Sequence, residues 1–532
     1  MSSHNASSGR AKKLFLIFHG RFPSNKAASL FAAKNCEAFA DEELDVTLLV
    51  SRRLGLEQGD PYAYYQVREN FRIAYLPVLD LPSKDKLTSI RFMLSSFTFA
   101  LSCYLYLLRH ATSDDVIYSN EPLPLMVASL TFPKTLYEMH DFPERGLGLF
   151  GIFMRRMSWL LIHNTWKAEK AKKTFRLDSM RVLREPNAVQ IDEFDIPVTK
   201  EAARERLLLP HTVKIIVYTG HLYGWKGVDT LADAAHLLPD DYLVIFVGGT
   251  PEDRQRLTDA HVAVPNLRFV GFKPHAEIPL WQKAADVLVL PNTAKENISK
   301  YYTSPMKLFE YMASRVPVVA SRIPSIEEIV TDEDVFFAEP DSASSFATTI
   351  EKAVHGAGEA SRKVTAAYTK VMEHTWRKRA SRILSFMDNV TAWTVAENRA
   401  ILRLLFRYLL SGGIAFTSNI GLFIFFELAF DLWYMAASTL AFILSVVVSF
   451  LAQKFFTFRD WSRGWIARQF GRYVVIALFN VSMNALIMYT FVDGLHLPHL
   501  LSQVLSAGII AIWSLGVYRY IIFPNANISQ AT

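Results

Sequence analysis

The chain has 532 residues, 51% of them apolar and 20% charged, which at roughly 150 residues per domain implies three or four domains and excludes a small module. Charge is unevenly placed: residues 401–523 carry 8 Lys/Arg and 4 Asp/Glu, leaving 49 and 47 for the rest, so the net charge of +6 divides into +4 there and +2 elsewhere. That balance is too even to imply a nucleic-acid partner for the polar part, and two cysteines, Cys36 and Cys103, exclude a disulfide framework or a multi-cysteine zinc cluster and suit a reducing compartment.

Residues 1–11 are small and polar, and the apolar run at 14–18, LFLIF, is too short for a secretion-signal core, so no signal peptide is read. The run is instead a buried strand, followed by the turn-rich HGRFPSN and a helix over about 27–40. Strands at 45–50 (DVTLLV), 115–120 (DVIYSN), 135–140 (TLYEMH) and 159–164 (WLLIHN) continue the alternation that predicts an α/β domain with a parallel sheet. Residues 92–108 are uncharged between Arg91 and Arg109, at the lower length limit for a membrane span. Their Ser95, Ser96, Thr98 and Ser102 favour a helix of the α/β domain, buried or facing a membrane, over a spanning or interfacial segment. From residue 214 the pattern restarts as a second doubly wound unit, with ligands expected beyond the carboxyl ends of its strands.

Three segments in this second half carry a further signal: YTGHLYGWKG (218–227), NLRFVGFKPHAEIPLWQKAADVLVLP (266–291) and SPMKLFEYMASRVPVVASRIPSIEEIV (304–330). Through them, over roughly residues 12–390, the chain resembles the retaining family 4 glycosyltransferases of the GT-B fold. That resemblance implies two Rossmann-like domains facing across a cleft, an acceptor-side domain at 12–200 and a nucleotide-sugar domain at 201–395. Breaking a nucleotide-sugar bond leaves charge on a diphosphate, which calls for cations or helix N-terminal amides. The resemblance puts Lys226 on the donor phosphates, in a loop where Gly220, Gly224 and Gly227 let the backbone approach a ligand, and places Gly271 and Phe272 among the donor-binding residues. His221 stands where the family usually has arginine, a weaker phosphate clamp. Glu310 matches the ribose-binding glutamate, whereas Tyr302 occupies the position of the first glutamate of the family's pair, so the donor sugar does not carry over. Ser304, Pro305 and Lys307 open a helix whose amides can face the diphosphate, Lys307 being a ligand or a solvated face residue. His140, followed by Asp141, matches an active-site histidine at a strand end, and Gly20 and Arg21 line the acceptor side. The resemblance also implies no cofactor and no catalytic metal.

The low-charge region holds four apolar stretches, at about 405–426, 433–451, 473–491 and 500–518, each near the ~20 residues needed to cross a bilayer. Lys and Arg concentrate before the first, between the second and third and after the fourth, so the positive-inside rule puts both termini and the enzyme domains in the cytosol, at the inner membrane. The stretches read as two copies: residues 407–458 and 472–523 share eight identities over 52 positions, pairing Arg407 with Arg472, Asn419 with Asn484 and Lys454 with Arg519. Two spans per copy imply a pseudo-twofold axis along the membrane normal. This part, about 403–523, resembles the GtrA family of four-span proteins, associated with polyprenyl-phosphate-linked sugars and polysaccharide synthesis. Arg407, Lys454, Arg472 and Arg519 fall at cytosolic span ends and either converge on a lipid phosphate or simply fix orientation. Asn419 and Asn484 favour interhelical hydrogen bonding over a role as substrate ligands.

Together these features predict a membrane-attached retaining glycosyltransferase moving a sugar from a nucleotide donor to a polyprenyl phosphate or lipid-linked saccharide, with homo-oligomers open through the membrane part. The alternatives are a flippase or carrier of lipid-linked sugar coupled to the transferase, and a degenerate nucleotide-sugar-binding module.

Overall fold

The computed structural model describes residues 13–53, 59–80, 88–144, 146–261, 264–390, 399–462, 465–494 and 499–523. They fall into two compact units, Met1–Thr394 and Val395–Thr532.

The first unit is built on two wholly parallel sheets. One contains β1 (Lys13–Phe18), β2 (Asp45–Arg52), β3 (Arg72–Pro77), β4 (Val116–Ser119), β5 (Thr135–Met139), β6 (Trp159–Ile162) and β7 (Val182–Arg184), in the order β3-β2-β1-β4-β5-β6-β7. The other contains β8 (Lys214–Thr219), β9 (Tyr242–Val247), β10 (Leu267–Gly271), β11 (Val287–Leu290), β12 (Val318–Ser321) and β13 (Phe336–Ala338), in the order β10-β9-β8-β11-β12-β13. In each sheet the order reverses beside the first strand, between β1 and β4 and between β8 and β11, which opens a crevice at the carboxyl ends.

The apolar runs read as strands because both faces of each sheet are covered. Leu14, Leu16 and Phe18 pack with the helix Ala27–Ala40, while Phe15 and Ile17 pack with Phe99, Cys103 and Leu107 of the helix Thr88–His110. Each such side chain contributes ~1.5–3 kcal/mol by leaving water. The uncharged segment 92–108 therefore lies on a helix of the α/β domain, with one side in the core.

The chain changes sheets twice. Val189, Ile191 and Phe194 already belong to the core of the second sheet, and the helix Trp376–Asn389 returns to the first, where Trp376, Ala380 and Ile383 pack against Phe31, Ala32 and Phe39. The indole N–H of Trp159 donates to the Val390 carbonyl at 3.0 Å, closing the return.

The second unit consists of the helices Arg399–Phe430, Tyr434–Leu451, Ile466–Tyr489 and His499–Val517. Three of them, extended to Phe406–Phe430, Tyr434–Thr457 and Ile466–Asp493, are long and apolar enough to cross a membrane. The expected count of four spans is thus three among the described residues. The fourth stretch, 500–518, overlaps the helix His499–Val517, much of whose side-chain set lies outside the described residues. The internal repeat is visible in the backbone: π-helical turns at Ala452–Thr457 and Tyr518–Ile522 end the second and fourth helices at equivalent positions. The equivalent rings of Phe458 and Phe523 stack on each other with centroids 4.9 Å apart, as expected near a pseudo-twofold axis. Asn419 donates to the Ser445 hydroxyl (3.2 Å), and the Ser506 hydroxyl donates to Asn484 (2.6 Å), so each asparagine ties its own hairpin together.

Candidate functional site

Of the predicted donor residues, Gly220, His221, Lys226, Gly227 and Lys307 gather near the end of β8, beside the β8/β11 crevice. β8 ends in Thr219 and turns sharply: Gly220 has φ +118° and Gly227 φ +71°. A Cβ on Gly227 would lie 1.8 Å from the Pro291 carbonyl oxygen, so only glycine lets this loop pass the end of β11. A Cβ on Gly220 would lie 2.3 Å from Cε of Lys307, whose side chain crosses the bare backbone there. Lys307 donates to the Tyr218 hydroxyl at 2.7 Å, and that hydroxyl donates to the His221 carbonyl at 2.7 Å.

Two ammonium groups thereby share one turn. Burial lowers the Lys226 pKa to about 7, with Nζ 3.7 Å over the Trp225 ring. Burial, and then the charge of Lys226, push Lys307 down as well. Two desolvated amines in each other's field form a site whose charged state an anion would stabilise. His221 stacks on Tyr223 (5.0 Å, 7°) and is held below its ordinary pKa by burial and then by Lys307 and Lys226, so it stays neutral at pH 7. Gly271 ends β10 with φ +84°, against Arg254, and Phe272 beyond it is exposed.

Glu310 sits on the helix Met306–Ala313 with its carboxylate 3.8 Å from Nε2 of His275. Burial alone would lower the His275 pKa, but Glu310 overrides it and the pKa is raised. His275 was not singled out from the sequence. The signal available was its place in FKPHAEI, inside the second family-like segment.

Two of the expected donor residues face the other sheet. The Tyr302 hydroxyl accepts a hydrogen bond from Lys170 (3.0 Å), and its ring packs with Phe142 and Trp166 of the first core. The Ser304 hydroxyl accepts from the Asn187 amide at 3.1 Å.

On the first sheet, His140 follows β5 with its ring edge-on to Phe31 (4.9 Å) and 4.7 Å from the His163 ring. Its carbonyl accepts from the buried Lys167 ammonium at 2.6 Å, while its Nε2 has no hydrogen-bond partner among the described residues and lies 3.7 Å from Glu138. Glu138 is fully buried. Arg379 donates to it at 2.5 Å, His163 lies at 2.6 Å, and Tyr118 also bonds to it. Burial alone would raise the carboxyl pKa, but Arg379 holds it well below the ordinary range, and burial keeps His163 neutral with a pKa of about 3. Glu138, His140 and His163 lie close enough to bind a cation, but the carboxylate already has Arg379, Tyr118 and His163 as partners, so the set fits a metal poorly. Gly20 and Arg21 lie in the loop after β1, Arg21 exposed and its carbonyl accepting from Ser29 (3.1 Å). No carboxylate pairs with Lys226 among the described residues.

In the second unit the four basic residues differ in setting. Lys454 is fully buried, with Nζ 3.1 Å from Asp460 and donating to Gln469 at 2.7 Å, so its charge is already paired. Arg472 donates to the Ile521 carbonyl at 3.3 Å, the Arg407 carbonyl accepts from Thr457 at 3.2 Å, and Arg519 lies in the last π-helical turn.

Residues 199–371 match the family described as "Glycosyl transferases group 1", and residues 407–523 match "GtrA/DPMS, transmembrane domain". The chain joins a group 1 glycosyltransferase domain to a GtrA/DPMS membrane domain. The putative teichuronic acid biosynthesis glycosyltransferase TuaC of Bacillus subtilis is 27% identical over 234 residues, 43% of this chain and 56% of the relative. An Escherichia coli UDP-Gal:alpha-D-GlcNAc-diphosphoundecaprenol alpha-1,3-galactosyltransferase is 27% identical over 198 residues, 35% of this chain and 48% of the relative. The chain thus spans about half the length of these curated relatives. A glycosyltransferase structure from Rickettsia africae superposes with a TM-score of 0.56 at 14% identity, covering 72% of this chain and 99% of that one, which shows the GT-B arrangement of the group 1 domain and its preceding sheet.

Proposed function

We propose that this protein is a membrane-attached glycosyltransferase that moves a sugar, with retention, from a nucleotide-sugar donor to a polyprenyl phosphate or lipid-linked saccharide. The pairing of Lys226 and Lys307 near the β8 turn carries the reading: two desolvated amines, Lys226 without a carboxylate partner among the described residues and Lys307 countered only in part by Glu310, suit a diphosphate leaving group. In this mechanism the donor diphosphate lies against Lys226, Lys307 and the amides that open the helix Met306–Ala313, and Glu310 accepts hydrogen bonds from the ribose. The acceptor oxygen attacks from the face the diphosphate leaves, beside His140, while Lys226 stabilises the departing charge. No metal is required where two amines supply that charge. The GtrA/DPMS domain and the diphosphoundecaprenol-linked acceptor of the E. coli relative support a lipid-linked acceptor here.

The test is transfer of radiolabelled sugar from UDP- and GDP-sugars into an organic-extractable lipid fraction by the full chain in membranes, with and without EDTA. Wild type should label lipid in both conditions, and Lys226→Ala should lose about 10²–10³ in rate, the usual cost of removing one leaving-group stabiliser. Glu310→Ala should chiefly weaken donor binding. Labelling of a longer glycan without labelled lipid would overturn the acceptor assignment, and donor binding without transfer to any acceptor would overturn the enzymatic reading.

A further inference from the structure

The helix Thr88–His110 has two unlike sides. Ser95, Phe99, Ala100, Cys103 and Leu107 are buried against the first sheet, whereas Leu94, Phe97, Leu105 and Leu108 are 42%, 53%, 44% and 49% exposed. With the half-buried Leu101 the outward residues recur at intervals of three and four, so they form one straight stripe. From 94 to 108 the stripe runs ~21 Å along the helix. Its polar neighbours make no demand for water: Thr98 donates to the Leu94 carbonyl (2.8 Å) and Ser102 to the Pro77 carbonyl (2.7 Å). Beside the stripe, Leu79 is 52% exposed, its amide donating to Thr98 at 3.1 Å. A contiguous apolar surface of this length is unusual on a protein face meant for water.

We propose that this face rests on the surface of an anionic lipid bilayer. The helix contains no acidic residue, and its last turn holds the exposed Arg109, which suits an apolar stripe sunk to the headgroup level with a cation at its end. The same chain supplies the bilayer: three helices of its second unit are apolar enough to span. Residues 390 and 399, the nearest described positions of the two units, are separated by nine peptide steps, which reach at most about 30 Å. The first unit therefore stays at the membrane at high effective concentration, and a stripe that would bind weakly as a free domain binds there. The buried side of the same helix packs on the loop after β1. Ser95 lies 3.1 Å from Nε2 of His19, Phe99 stacks on the His19 ring at 5.0 Å, and His19 precedes Gly20 and Arg21. Docking through this helix would set that loop at headgroup depth, a consequence that rests on the acceptor-side reading, whereas the docking itself does not.

The test uses the full chain in vesicles of zwitterionic and anionic phospholipids, labelled with a polarity-sensitive fluorophore at Phe97→Cys or, as control, at Leu237→Cys, which is 54% exposed on the second sheet's side. The native Cys36 and Cys103 are fully buried and stay unlabelled. The expected result is a blue-shifted emission at position 97 that chain-brominated lipids quench and aqueous iodide does not, with the reverse at 237. Adding Leu105→Asp and Leu108→Asp should abolish the lipid quenching at 97 and leave nucleotide-sugar binding unchanged. Iodide quenching at 97 equal to the control overturns the proposal. So does a blue shift that brominated lipid leaves intact and that disappears when the protein is diluted in lipid, which would identify a second copy as the occupant. Failure of sugar transfer with lipid quenching intact would count against the enzymatic reading alone.

Discussion

Lys226 and Lys307 lie 81 positions apart in sequence yet feel each other's charge, Lys307 crossing the bare backbone of Gly220, and the burial of Lys226 fixes a pH dependence. Lys226 has a pKa lowered to about 7, so above pH 7 the donor-free protein holds it largely neutral. A bound diphosphate favours the charged amine, so donor binding takes up a proton, and affinity must fall as pH rises from 7 to 9, by at most about tenfold per unit for one lysine. Titration calorimetry across that range, repeated in buffers of different ionisation enthalpy, should show the uptake. In Lys226→Arg the guanidinium stays charged and the pH slope should flatten. A donor affinity independent of pH in wild type would remove Lys226 from the phosphate. Lys226 was legible because its signature is local, a lysine among glycines after a strand. The His275–Glu310 pair was not, since 35 residues separate the two and only the folded chain brings the turn after β10 against the helix Met306–Ala313.

Among the elements, the β8 turn and the returning helix invite different tests. Gly227→Ala asks a Cβ to occupy the place of the Pro291 carbonyl at a positive φ, and backbone cannot yield as a side chain can. At Gly220, where φ of +118° strains any side chain as well, the atom in the way is the flexible end of Lys307, which can move aside. Gly227→Ala should therefore abolish donor binding or the fold of the turn, while Gly220→Ala should leave the protein folded with weakened donor affinity, as separated by circular dichroism and calorimetry. The helix Trp376–Asn389 brings Arg379, itself fully buried, onto Glu138 across 241 positions of sequence. Arg379→Ala strands a buried carboxylate and should cost about 3–5 kcal/mol. Because the folded Glu138 pKa is depressed, the pair's contribution is present above the ordinary carboxylate range and is lost as pH falls through the folded value. Thermal unfolding from pH 7 downward should show wild type losing this margin and Arg379→Ala starting without it. The strands and their parallel order could be read from apolar runs and spacing. Glu138 was passed over inside the strand TLYEMH, and nothing local could name its partner.

For the whole molecule, the number of spans decides which side of the membrane the last residues occupy. Three spans would place the region beyond 523 opposite the N-terminus, whereas four place both on one side. The helix His499–Val517 has 19 residues without Asp, Glu, Lys or Arg, about 28 Å long at the helical rise, which matches the hydrocarbon thickness. It also ends as its repeat partner does, in a π-helical turn carrying a basic residue, Lys454 in one and Arg519 in the other. The repeat of two-helix hairpins would match in full with an even count, whereas three helices among the described residues are long and apolar enough to cross. The repeat was legible from its paired residues, but the Lys454–Asp460 pair that breaks the symmetry was not, since Asp460 lies just outside the first copy. Reporters fused after the last residue and before the first, one active only in the cytosol and one only outside it, decide the count: both on one side gives four spans. A C-terminal reporter active only outside would leave three spans, and would end the comparison of Arg407 with Arg472 and of Lys454 with Arg519 as groups at one membrane face.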